Sequence, residues 1–187
     1  MFYGRYSLAA LTTHRRHRLK RSSKKAPCCR RPPPPSAFDE RVLVQVTAPK
    51  SGIGTAFAIY EGGQWLTARH VVEGCNDVSL LVAPNQYAPA QSVTISEQFD
   101  LALIETATSP NPAPMNTEDD LRIGAYGFHV GYPQGRPGEA ASRLLARSNL
   151  ISRGRRSNSE SVLAWAETGR TRGLMGSLGG LSGGPVY

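Results

Sequence analysis

A chain of 187 residues has room for one domain of ordinary size or two small barrels sharing a core, and 40% hydrophobic content suits a globular protein. No run reaches the roughly 18 apolar residues of a membrane helix, so a helical span is excluded. The formal charge of +8 points to nucleic acid until it is divided along the chain: residues 1–38 hold ten Lys/Arg and no acid, whereas 39–187 hold twelve against fourteen acids. Nucleic acid is therefore disfavoured as a partner of the body.

Residues 1–38 read as a disordered basic arm, because like charges repel and the run Pro32–Pro35 favours an extended polyproline helix. The only mildly apolar stretch precedes the charges, which is the wrong order for a standard secretory signal. An unstructured or misassigned start, a targeting segment and an anionic-surface tail all remain open for the arm. His14, His17, Cys28 and Cys29 have poor spacing for a tetrahedral metal site. Cys28 and Cys29 are adjacent, and Cys75 is the only cysteine of the body, so no disulfide framework is expected. With neither signal nor disulfides the cytoplasm is favoured. A periplasmic or organellar location follows if the arm is a transit peptide or its start is wrong.

From Arg41 onward, short apolar runs are separated by turn residues. RVLVQVT (41–47), TAFAIY (55–60), QWLTARHVV (64–72), VSLLVA (78–83), SVTIS (92–96) and LALIE (101–105) predict six strands, with Glu61–Gly63 as a hairpin turn. Six strands suit one small closed barrel. The Pro/Asn/Asp-rich stretch Thr106–Asp120 reads as a linker. Beyond it, AYGFHVGYP (125–133), ASRLLARSNLISRG (141–154), SVLAWAE (161–167) and GGPVY (183–187) predict about four more strands. The division expected is an arm (1–38), a first barrel with linker (39–121) and an incomplete second barrel (122–187). Net charges of −8 and +6 on the two halves suit solvated faces that attract each other.

Three residues stand where acyl-transfer chemistry would need them. His70 is expected at the end of a strand, Asp100 opens LALIE, and Ser182 lies in a Gly-rich turn whose small neighbours admit a substrate carbonyl. Asp77 is a rival carboxylate seven residues from His70, but it sits in the turn context EGCND (73–77), so Asp100 is preferred. His129 reads as a satisfied strand histidine and not a catalytic one. Cys75 reads as a small buried hydrophobe.

The stretches GTAFAI (54–59), WLTARHVVEGC (65–75), DLALIE (100–105), GYPQG (131–135) and GLSGGPV (180–186) resemble the trypsin-like, chymotrypsin-fold serine proteases. The likeness is nearest to the disulfide-free bacterial branch that includes the high-temperature-requirement proteases. It covers about residues 40–187 in the order His, Asp, Ser, with separations of 30 and 82 residues. The resemblance implies an all-β fold of two antiparallel β-barrels and a serine endopeptidase that needs no metal or organic cofactor. It assigns Ser182 as nucleophile, His70 as general base and Asp100 as the carboxylate orienting it. Backbone N–H groups of Gly180 and Ser182 would form the oxyanion hole, each such donor being worth about 2.7–4 kcal/mol in the transition state.

Leu181 occupies the place where digestive relatives have an aspartate that pairs with a new N-terminus, so activation by that route is not expected. The resemblance places Gly176, Ser177, Leu178 and Gly179 in the substrate pocket, where they bring no charge, which implies small or medium apolar residues at the cleavage position; it also offers a place in that pocket as the alternative for His129. Family members continue for two further strands beyond the serine motif, so a fragment of a longer protein is expected, with a natural short form as the alternative. A non-catalytic module that binds peptides or a partner protein is the second functional reading, separable from the enzyme by whether the chain turns substrate over.

Overall fold

The structure, a computed structural model, describes Pro34, Ser36 and residues 39–45, 52–116, 121–153 and 158–187. The arm expected at 1–38, with His14, His17, Cys28 and Cys29, lies outside the described residues apart from Pro34 and Ser36. The described part is nearly all strand, as expected, and its only α-helix is the four-residue Arg69–Val72 (α1).

Strands β2 (Phe57–Tyr60), β3 (Gln64–Thr67), β6 (Ser92–Ile95) and β7 (Ala102–Glu105) form one antiparallel sheet in the order β2-β3-β7-β6. The turn between β2 and β3 uses Gly62 and Gly63 at positive φ, as the Glu-Gly-Gly signal predicts. Side chains alternate across this sheet, so Trp65, Thr67, Ala102 and Ile104 face inward. Trp65, Ala102 and Ile104 join Ala58, Ala68, Val71, Val72 and Leu80 in the first core. The indole N–H of buried Trp65 donates to Thr106 Oγ1 at 2.9 Å, which satisfies the one polar atom that burial would orphan.

A seventh strand in this half was not predicted. β4 (Ser79–Ala83) turns through Pro84 and Asn85 into β5 (Gln86–Pro89), with Ala83 paired to Gln86. Asn85 adopts the left-handed region (φ 59°), which a short polar side chain tolerates. QYAP has too few apolar residues and a proline, so pairing rather than composition makes it a strand.

β8 (Tyr126–Gly131), β9 (Gly138–Arg153) and β10 (Asn158–Arg170) form the second sheet. β9 and β10 pair antiparallel along their length, and β8 pairs with the start of β9. β1 (Glu40–Gln45), predicted as part of the first barrel, instead runs parallel to β9, with Glu40 opposite Ser148 and Gln45 opposite Arg153. It therefore occupies the edge of β9 that β8 leaves open. GGPVY, predicted as a strand, contributes one bridge between Val186 and His129, flanked by reciprocal bonds between Phe128 and Tyr187. The sheets do not close into barrels among the described residues.

His129, on β8, meets buried Ser142 of β9 at 2.6 Å and lies edge-on to Trp165. Ser142 Oγ donates to the Gly127 carbonyl, so the ring donates Nε2–H to Ser142. Burial lowers the His129 pKa from its ordinary 6.5. The unfolded chain thus binds the proton more readily, and stability is lost as pH falls below the ordinary value toward the lowered one. Glu160, raised by burial, acts in the opposite sense at acid pH. The comparison that isolates His129 is therefore native protein against His129→Gln, whose midpoint temperature should fall less between about pH 7 and 5. Parallel melting curves across that range would count against a buried neutral imidazole.

Candidate active site

Strand β3 ends at Thr67, and the chain turns at Ala68 into α1, so His70 is the second residue of a short helix and not the end of a strand. Ala68 offers no side chain to cap that helix. The cap comes from Asp100, which stands two residues before β7: its Oδ1 accepts the His70 backbone N–H at 2.9 Å. Its Oδ2 lies 2.5 Å from His70 Nδ1. One carboxylate thereby fixes the backbone and the ring of the same histidine. An ionised carboxylate only accepts, so Nδ1 carries the proton and Nε2 is left as the basic nitrogen.

The loop presenting Asp100 is held from both sides. Ser96 Oγ accepts the N–H groups of Gln98 and Phe99, and the Ser96 N–H donates to the Leu101 carbonyl at 2.9 Å. From the second half, Glu160 on β10 accepts the Asp100 N–H at 3.2 Å. Burial pushes the Glu160 carboxyl up; that N–H opposes it, the Asp100 charge adds to it, and Arg69 and His70 draw it down. Asp77 is exposed in the turn before β4 and takes no part in this cluster. Cys75, predicted buried, is exposed, because Gly74 (φ 80°) swings the chain off the core after α1. Its thiol faces back to the Val71 carbonyl at 3.6 Å.

Ser182 is 3% exposed in a run of tight turns in which Leu181 N–H donates to Leu178 and Gly184 N–H to Leu181, each at 3.0 Å. Gly180 and Gly183 are glycines of necessity, with φ of +103° and +94°. A Cβ on Gly180 would stand 2.2 Å from the Tyr132 carbonyl oxygen, and one on Gly183 would stand 1.7 Å from that of Thr55. Gly183→Ala should therefore cost more than the roughly 1–2 kcal/mol of a left-handed dihedral alone, since the overlap is with backbone. A urea midpoint within error of the native one would refute that packing.

Thr55 joins the two halves. Its N–H donates to the Ser182 carbonyl at 2.7 Å, its Oγ1 donates to the Gly180 carbonyl at 2.7 Å and accepts the Tyr132 N–H at 3.1 Å. Thr67 Oγ1, three residues before His70, donates to the Thr55 carbonyl at 2.8 Å. Sequence reasoning did not single out Thr55, Thr67, Gln134 or Glu160. A threonine among apolar neighbours in GTAFAI and WLTA is the one available signal; nothing in the sequence marks Glu160.

The segment Gly176–Gly179 is largely exposed. Gln134, in the left-handed region (φ 55°) within the turn Pro133–Gly135, donates its N–H to the Gly179 carbonyl at 2.7 Å and its amide to the Met175 and Ser177 carbonyls. Arg170 donates to the Gly176 carbonyl at 2.7 Å and pairs through two nitrogens with Glu167.

The chain is similar in sequence to a probable periplasmic serine endoprotease, DegP-like, of Halomonas elongata, at 24% identity over 101 residues, 54% of this chain and 21% of that protein. It thus spans about a fifth of that relative's length. In structure it is similar to the Rv3671c protease of M. tuberculosis in its active form, with a TM-score of 0.59 at 23% identity, covering 71% of this chain and 56% of that one. It is also similar to the HtrA-type protease AlgW with a decapeptide, with a TM-score of 0.52 at 20% identity, covering 73% and 39%. These likenesses show the all-β fold of such proteases. The trypsin-like peptidase domain family matches residues 54–187, which include His70, Asp100 and Ser182, and the chain belongs to that family.

Proposed function

We propose that the chain carries the catalytic machinery of a serine endopeptidase, with His70, Asp100 and Ser182 as its triad. The observation that carries this reading is the double use of the Asp100 carboxylate, which presents His70 with Nε2 as the basic nitrogen. In this mechanism Ser182 Oγ attacks the scissile carbonyl while His70 Nε2 takes its proton. The Gly180 and Ser182 N–H groups hold the negative charge that develops on the carbonyl oxygen. His70 then returns the proton to the leaving amine, and water hydrolyses the acyl-enzyme by the same route. The division proposed is that of the triad, with His70 and Asp100 in 39–121 and Ser182 in 122–187; β1 crosses to the second sheet.

The substrates proposed are proteins or peptides, a class supported by the decapeptide bound to AlgW. For the pocket, Gly176, Ser177, Leu178 and Gly179 supply only backbone and small or apolar groups, and the nearby Arg170 is neutralised by Glu167. That supports small or medium apolar residues at the cleavage position. Among the described residues no helix is long and apolar enough to cross a membrane. The cytoplasmic preference drawn from the sequence gains no support; the DegP-like relative is described as periplasmic, and the periplasm is the compartment proposed.

The test is to treat the folded chain with a fluorophosphonate probe and map the adduct. The adduct is expected on Ser182, with hydrolysis of an apolar peptide substrate by untreated protein. A folded chain that takes no adduct sinks the enzyme reading and leaves the non-catalytic peptide-binding module in its place.

A further inference from the structure

Gly180 has no side chain to limit its rotation, yet both peptide planes flanking it are held from outside the serine loop. The 179–180 plane is held by Gln134, whose N–H donates to the Gly179 carbonyl at 2.7 Å. Carbonyl and N–H are opposed in a trans peptide, so this bond turns the Gly180 N–H away from Gln134. The 180–181 plane is held by the Thr55 hydroxyl at 2.7 Å. A hydroxyl has one hydrogen, and here it is committed to Gly180 because the Tyr132 N–H occupies an oxygen lone pair at 3.1 Å. The hydroxyl therefore cannot rotate away without breaking a second bond.

We propose that Thr55 is a positioning residue for the serine loop, holding the peptide planes that alternate with those of the two oxyanion donors. Its hydroxyl sets the plane that follows Gly180, its N–H sets the Ser182 carbonyl, and its own carbonyl, held by Thr67, ties both to the turn that carries His70. One residue thus fixes the nucleophile loop and the base in a common frame. Thr55 is 5% exposed and Thr67 fully buried, so water does not replace these bonds. A glycine with φ of +103° has no side chain to hold its dihedrals, and the external donor supplies the restraint that a Cβ would otherwise give. The inference rests on the proposed endopeptidase reading, since it concerns the backbone segment that carries that mechanism's donors.

The experiment compares native chain, Thr55→Val and Thr55→Ser. Valine keeps the shape and removes the hydroxyl; serine keeps the hydroxyl and removes the methyl. Thr55→Val is expected to lower kcat by about 10–100-fold with KM changed less than threefold, as for a group felt mainly in the transition state. Thr55→Ser is expected to stay within threefold of native. Amide exchange across Gly180–Gly183 should quicken in Thr55→Val and not in Thr55→Ser, a readout that needs no turnover. It judges the positioning role even where native protein is inactive, the outcome that instead sinks the endopeptidase reading. Native-like kcat and exchange in folded Thr55→Val would overturn the proposal. Equal losses in both variants would do so too, by assigning the effect to the methyl. Where Thr55→Val does not fold, Thr55→Ala removes the hydroxyl together with the methyl, and Thr55→Ser accounts for the methyl. If neither folds while Thr55→Ser does, the hydroxyl serves stability and the proposal falls.

Discussion

Ser182→Ala is expected to abolish fluorophosphonate labelling and to lower peptide turnover by about a millionfold, to the level that binding and oxyanion stabilisation alone sustain. The change deletes one oxygen from a side chain already 3% exposed, so the turns around Leu178, Leu181 and Gly184 keep their backbone bonds. A melting midpoint near the native value would then accompany a complete loss of chemistry. Labelling that persists in the variant would place the nucleophile elsewhere.

Asp100→Asn is the second large effect. Asp100 accepts two N–H groups of the same residue, one from the His70 backbone and one from Nδ1. An asparagine has one acceptor oxygen and must turn its NH2 toward the other partner. If the oxygen keeps the backbone bond that caps α1, the NH2 faces Nδ1 and forces the proton onto Nε2. An Nε2 that already carries a proton cannot accept one from Ser182. The expected loss in kcat is about 10⁴-fold with little change in KM. Asp77→Asn, at an exposed site outside the cluster, should leave kcat/KM near native. An Asp100→Asn enzyme within tenfold of native would mean that the orienting carboxylate has been misassigned.

Strand character was legible wherever a segment buries one face. QWLT and ALIE alternate inward and outward as their sequences do, because the side-chain period of a strand is fixed by its pleat. QYAP escaped notice because it buries little, and its place in a sheet depends on the partner across a two-residue turn. The partner of β1 was equally out of reach. Its alternation predicts a strand, but pairing with β9 is a long-range choice that local pattern does not encode.

His70, Asp100 and Ser182 stood out because their chemistry and neighbours are local: a strand after the aspartate, glycines around the serine. The structure joins His70 to Asp100 and adds what no local signal carries. Glu160 looks like any strand carboxylate until the β9-β10 hairpin brings it to the Asp100 N–H. Thr55 looks like a strand-edge residue until its hydroxyl is found between Gly180 and Tyr132. The sequence by itself determined most of the strands and which chemically capable groups the chain offers, because pleat periodicity, glycine dihedrals and side-chain chemistry act over a few residues. Only the tertiary structure decided which strand β1 joins, why His70 sits in a helical turn, and which buried hydroxyl holds the serine loop. Those depend on hydrogen bonds between residues 30 to 125 positions apart, whose formation is decided when the sheets pack.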